Sequence, residues 1–242
     1  MALSLGFTAV AHAQSAPAGA SDCTITSDDI QAITAAEAES LTAELTARKA
    51  LLTRVITCAK GDAQTLQTSL QNIQVASDAQ ALQSQLLGKL SDAMNYYDLE
   101  LAEVPDSGIL STEAVAAQVL SYRTSSYDPL SLQVSDFILW SENQNLFAAA
   151  NARLTSAGNL VSFLETAAPG DDLQSDFATA QTLIETANEE NQAAKAALLQ
   201  SAPGDQSLAL IMQSLQSLSD AYQEFSEVSG IVQTLLPTAQ GS

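Results

Sequence analysis

The sequence predicts an all-α fold: an elongated antiparallel bundle of about six long helices, with a short helix ahead of them. Three observations predict it. Gly is scarce, at 10 of 242 residues, while Ala, Leu, Gln and Ser dominate, a composition that favours helix over strand. Apolar residues recur at three- and four-residue steps over long stretches. The breaks between those stretches are short and rich in turn formers, and short connections make neighbouring helices antiparallel. The longest segments would span roughly 45–55 Å at about 1.5 Å per residue.

The elements follow in chain order. Asp28 to Ala36 reads as a short helix capped by Ser27. From Leu41 the series Leu41, Leu45, Leu52, Val55, Ala59, Ala63, Leu66, Leu70, Ile73 keeps phase through Gly61, which predicts one helix of about 36 residues. Ser77 with Gln80 reads as a capping box opening the next helix, whose face is Leu82, Leu86, Leu90, Met94, Tyr97, Leu101 and Val104. Pro105-Asp106-Ser107-Gly108 ends it as a turn.

A shorter helix turns Val115, Val119 and Leu120 inward. Asp128-Pro129 reads as an N-cap and first-turn proline, opening a long helix with Val134, Phe137, Trp140, Phe147, Leu154, Val161 and Leu164 along one stripe. Ala168-Pro169-Gly170-Asp171 and Ala202-Pro203-Gly204-Asp205 each stop one helix and start another. Between them lie Leu173, Phe177, Ile184, Ala187, Ala194 and Leu198; after them Leu208, Met212, Leu215, Leu218, Tyr222, Phe225, Val232 and Leu236. The 34-residue spacing of the two turns lacks the tetratricopeptide signature, and each period holds one helix rather than a pair. The chain therefore reads as a single helical-bundle domain over 27–237, with a tail at 238–242.

Ala2 to Ala11 is a short apolar run ending in Ala11-His12-Ala13, the small-residue pattern that signal peptidase accepts. Residues 1–13 are thus expected to be a signal peptide, short of its basic front end, and 14–26 a flexible lead-in. Asp22 before Cys23 excludes lipidation of that cysteine, and no run is long enough to span a bilayer. The expected product is exported: periplasmic, cell-surface or secreted.

Export places the two cysteines, Cys23 and Cys58, under oxidising conditions. If residues 28–60 were one helix, the sulfurs would be more than about 40 Å apart. If instead the chain reverses near Ala36 to Ser40, they reach nearly the same height. A Cys23–Cys58 disulfide and a helical hairpin therefore imply each other.

Charge and composition exclude much chemistry. Eight Lys and Arg stand against 28 Asp and Glu, a formal net charge of −20, so clustered phosphate-binding cations are missing and nucleic acid is an unsuitable partner. His12, the lone histidine, falls within the signal segment, which removes imidazole triads and His-containing zinc sites from the mature chain. No glycine-rich phosphate loop exists. The acidic pairs Glu37/Glu39, Asp171/Asp172 and Glu189/Glu190 read as solvated faces, and Asp171, Asp172 and Asp176 lack the loop a calcium site needs. No catalytic residue, cofactor or metal is expected. The side chains singled out for contact with a partner are Tyr96, Tyr122, Tyr127, Trp140, Gln144, Phe147 and Asn151. Gln144 and Asn151 share the aromatic stripe, where buried amides would fix register between helices.

The strings Glu44-Leu45-Thr46-Ala47-Arg48-Lys49-Ala50-Leu51-Leu52, Ile56-Thr57-Cys58 and Phe137-Ile138-Leu139-Trp140-Ser141 resemble uncharacterised exported all-helical proteins of candidate-phyla, reduced-genome bacteria. The resemblance implies an exported helical chain and brings no activity or site with it. The expected function is contact with a protein or other cell-envelope component, as a scaffold or adhesion module. A lipid or amphiphile carrier, or a pore former, is the alternative.

Overall fold

The computed structural model describes residues 25–167, 171–200 and 206–239; for 165–167, 171–172 and 235–239 only the helical backbone is described. The expected signal peptide, Cys23, and the two Ala-Pro-Gly-Asp turns apart from Asp171 lie outside the described residues. Among the described residues seven α-helices follow one another: α1 (Ser27–Glu39), α2 (Leu41–Asn72), α3 (Gln80–Glu103), α4 (Ile109–Tyr122), α5 (Asp128–Ala167), α6 (Asp171–Leu198) and α7 (Gln206–Ala239). The protein is an all-α helical bundle, with no strand among the described residues. Where 27–237 reads from sequence as one domain, the contacts gather into two units, one of residues 25–65 with Asp92–Tyr122, the other of Leu66–Ser91 with residues 123–239.

In the first unit α1 is capped by Thr26, one residue before the Ser27 expected from sequence. Thr26 Oγ1 accepts from the Asp29 backbone N–H at 3.3 Å, while the Asp29 carboxylate accepts from the Thr26 N–H at 2.8 Å. The chain then reverses at Ser40, which is extended and caps α2 by accepting from the Ala43 N–H at 3.1 Å. Arg54 donates to Asp29 at 2.5 Å, so α2 runs back along α1. Ile56, Ala59, Ala63, Ala93 and Tyr97 form the fully buried positions of this unit, with Val104, Val115 and Val119 nearly so.

Two expected positions are corrected here. Leu41 and Leu120 are 73% and 64% exposed, and α4 buries Thr112 beside Val115 and Val119. A threonine can take the inner position because its hydroxyl is satisfied: Thr112 donates to Gly108 O at 2.7 Å and meets Ser107 Oγ at 2.9 Å.

In the second unit α2 ends at Asn72, and Ser77 does not open a capping box: a turn covers 77–79 and α3 begins at Gln80. Gln83 explains the tight junction, because its amide donates to the Leu70 and Ile73 carbonyls that the end of α2 leaves free. Asp128-Pro129 opens α5 as expected, but not as a cap that follows a loop. The chain is already helical, passing from α4 through a π-turn at Arg123–Tyr127 straight into α5. Pro129 has no N–H to donate four residues back and its ring crowds that carbonyl, and the widened turn accommodates both.

The core of this unit is a three-helix seam. On α6 the inward positions are Leu173, Phe177, Ala180, Ile184, Ala187, Asn191, Ala194 and Leu198, in unbroken four-three steps. On α7 they are Ser207, Ile211, Ser214, Leu218, Ala221, Phe225, Val228 and Val232, with the same steps. A strict seven-residue repeat is the signature of left-handed, knobs-into-holes packing. The apolar spacing of α7 predicts Leu208 and Met212 inward; both are exposed, and Ser207, Ile211 and Ser214 hold the positions instead.

Candidate functional site

Buried polar side chains concentrate where α5, α6 and α7 meet. Asn143 on α5 is almost fully buried and donates to Ser214 Oγ on α7 at 3.0 Å and to Asn191 Oδ1 on α6 at 3.4 Å. Ser214 Oγ in turn donates to the Ala187 carbonyl at 2.9 Å. One seven-residue step away, Ser207 donates to the buried Asp136 carboxylate at 2.6 Å. Trp140 Nε1 and Gln133 Nε2 donate to the Asn191 and Leu198 carbonyls of α6. These groups lock three helices into one register, and their hydrogen bonds run between helices.

The contact residues expected from sequence divide sharply. Tyr127, Trp140 and Phe147 are buried in the core and offer no surface. Gln144 is half-buried and Asn151 exposed, and each amide donates back to its own helix, to Trp140 O and Phe147 O. The register role expected of those two amides belongs to Asn143 and Asn191. Tyr96 and Tyr122, in the first unit, are half-buried and stacked at 3.8 Å between ring centroids, with Tyr97 packed edge-on to both. Burial, and then the Glu100 carboxylate, push the Tyr96 phenol well above its usual range; burial, and then Asp92, raise that of Tyr122. The ring contacts tie α3 to α4.

Acidic side chains converge once among the described residues. Carboxylate oxygens of Asp176 on α6 and of Glu224 and Glu227 on α7 lie within 4.8 Å of one another. Desolvation, Glu227 and Asp176 raise the Glu224 carboxyl. Such an oxygen set suits a hard cation in kind, but it contains no backbone carbonyl and no loop to complete a coordination shell. Chain order groups Asp176 with Asp171 and Asp172, but the acidic groups it meets, Glu224 and Glu227, come from another helix.

Basic residues are mostly engaged within their units. Arg48 pairs with Glu44 and Glu113, Arg54 with Asp29 and Lys60 with Asp98. Lys195 pairs with Asp78 while lying 5.7 Å over the Trp140 ring. The four basic residues at 48–60 therefore neutralise their own acidic neighbours, except that Lys49 caps the Pro105 carbonyl.

Fold and clusters together define an all-α bundle whose buried polar groups serve helix register. The chain matches no family model, no curated protein and no solved structure. No helix among the described residues is long and apolar enough to cross a membrane.

Proposed function

We propose that the mature chain is an exported, non-catalytic helical bundle that acts by protein–protein contact, as a cell-envelope scaffold or adhesion module, braced by a Cys23–Cys58 disulfide. What supports the contact role is the surface of the first unit. Leu41, Leu99, Leu110 and Leu120 stand 64% or more exposed on a chain of formal charge −20. These side chains offer apolar surface to a partner on an otherwise acidic chain. What supports the brace is the observed reversal at Ser40, the arrangement in which the two cysteines come within reach.

The test is capture from envelope extracts by immobilised mature protein, comparing the wild type with Leu110→Glu. A captured protein released by that substitution supports the reading. Equal capture by both proteins, or measurable turnover of a substrate by the purified chain, overturns it. Leakage of neutral liposomes by the purified chain would favour the pore-forming alternative instead.

A further inference from the structure

The seam facing α6 and α7 is not the only seven-residue repeat on α5. Leu132, Leu139, Leu146 and Leu160 recur at sevens on its outer side, with Arg153 in the remaining place, and all but the half-buried Leu139 are exposed. Halfway between successive members lie Ser135, Glu142, Ala149, Ser156 and Phe163, every one of them exposed. This is a second four-three seam, about 48 Å long at the helical rise and exposed at every place but Leu139, although Arg153 also reaches over two rings of α7.

Charge says what fits there. From 129 to 164 the helix carries three ionisable side chains: Asp136, which is buried against Ser207, and Glu142 and Arg153, which both sit on the outer seam. Glu142 has no hydrogen bond or ion pair among the described residues. Arg153 lies over the Tyr222 and Phe225 rings, at 5.5 and 5.8 Å from their centroids, and has no carboxylate partner there. The two are eleven residues apart, roughly 16 Å along the helix, and cannot pair within one chain.

We propose that the outer seam of α5 binds a second copy of this chain, antiparallel, in the register that sets Glu142 of each copy against Arg153 of the other. That single condition fixes the rest. Leu146 then meets Ala149, Leu139 meets Ser156 and Leu160 meets Ser135, so three of the leucines face small residues. Leu132 meets Phe163. Antiparallel pairing brings together the two alternating positions of a heptad, and large against small lets the helices close up. The seam has no net charge, so it is a face on which two strongly acidic chains meet with least repulsion. Its length suits an interface on the order of 800 Å² per partner, the size a stable dimer needs. The inference goes beyond the contact function above and does not depend on it, because it concerns the purified chain alone.

Sedimentation equilibrium of the purified full chain tests it, with circular dichroism confirming that each variant keeps its helix. The wild type should show a concentration-dependent dimer. Leu146→Glu should weaken association by about 100-fold or more, since it puts two charges at the centre of the seam. Glu142→Arg and Arg153→Glu should each weaken it by about tenfold, and the double reversal should restore wild-type association, an outcome only a cross-copy pair produces. A monomer at all concentrations overturns the proposal. So does a dimer indifferent to Leu146→Glu, and so does a double reversal no stronger than either single one.

Discussion

Asn143 and Ser214 meet in the buried centre of three helices, the amide donating to the hydroxyl at 3.0 Å. The pairing is exacting because one further amide atom, Asn143 Oδ1, is buried without a partner among the described residues. The layer therefore already holds one unmet group, and losing another partner leaves two. Ser214→Ala removes the better acceptor of the Asn143 amide and should cost about 1–3 kcal/mol. Asn143→Leu with Asn191→Leu and Ser214→Ala, which removes the whole layer, should recover much of that loss, since a satisfied apolar layer competes well with a half-satisfied polar one. Urea melts of the three proteins measure both effects, and a triple variant less stable than Ser214→Ala contradicts the account.

Glycines offer a sharper contrast within one molecule. A methyl group added at Gly61, Gly88 or Gly230 would meet nothing within 4 Å, and all three sit inside helices. Ala there should stabilise by about 0.5–1 kcal/mol each, the helix-propensity difference. At Gly158 the same methyl would lie 3.0 Å from the Phe177 ring, which is packed against a cluster of Val161, Leu164, Leu173, Val228 and Val232. Gly158→Ala should lower the thermal midpoint while the other three raise it.

Much of the fold was legible in the sequence because apolar spacing is strong in Leu-rich stretches. Leu82, Leu86, Leu90 and Tyr97 of α3 and Val104 just after it are buried as the spacing predicts, while Ala93 and Glu100 take the inner places expected of Met94 and Leu101. Misreadings arise where polar side chains hold core positions. Ser207 and Ser214 occupy the inner seam of α7, so Leu208 and Met212, larger but exposed, set a false phase. Asn143 was passed over for Gln144 and Asn151 for the same reason. Nothing in chain order tells that a serine or an asparagine will find its partner on another helix. The seven-residue step, continued strictly through polar residues, was the available signal.

Acidity sets a pH dependence around Glu224. Its carboxyl is raised in the folded chain, by desolvation first and then by Glu227 and Asp176. A raised carboxyl holds its proton more tightly folded than unfolded. Its charged form therefore opposes folding, a penalty that appears as pH climbs from the ordinary glutamate value of 4.5 through the raised one. Acidifying from neutral through that window should relieve it. Glu224→Gln should raise the thermal midpoint at pH 7 and have little effect once pH is below the ordinary value. Thermal scans of both proteins across pH 4–7 (roughly the carboxylate range) test this; a difference that grows on acidification contradicts it.

Asp29 works with the opposite sign. The Thr26 backbone N–H, and then Arg54, hold its carboxyl below the ordinary value of 3.8. The cap and the α1–α2 ion pair are therefore fully formed above that value and lost as pH falls through the lowered one. Thr26→Ala should destabilise by about 1 kcal/mol, the usual worth of an N-cap, and melt α1 before the rest of the chain. Hydrogen exchange at residues 27–39 reads this directly, and unchanged protection there would show that α1 is held by other contacts.

The proposed Cys23–Cys58 staple draws on the same hairpin. Asp29 opposite Arg54 sets an antiparallel register in which Cys58 falls opposite Ile25, two residues from Cys23. Cys58 is half-buried on α2, on the stretch that runs back along α1. A disulfide closing the loop from 23 to 58 should contribute about 3–4 kcal/mol through the restricted unfolded chain. Protein from an oxidising compartment should yield the two cysteine peptides linked on non-reducing mapping, with no covalent dimer on a gel. Cys58→Ser should lower the midpoint by several degrees. Adding Cys23→Ser to it should change nothing more, because the bond is already lost. Reductant should bring the wild type down to the same midpoint. Two alkylatable thiols in the folded, oxidised protein would refute the staple while leaving the Ser40 reversal in place, since the Asp29–Arg54 pair holds that turn without them.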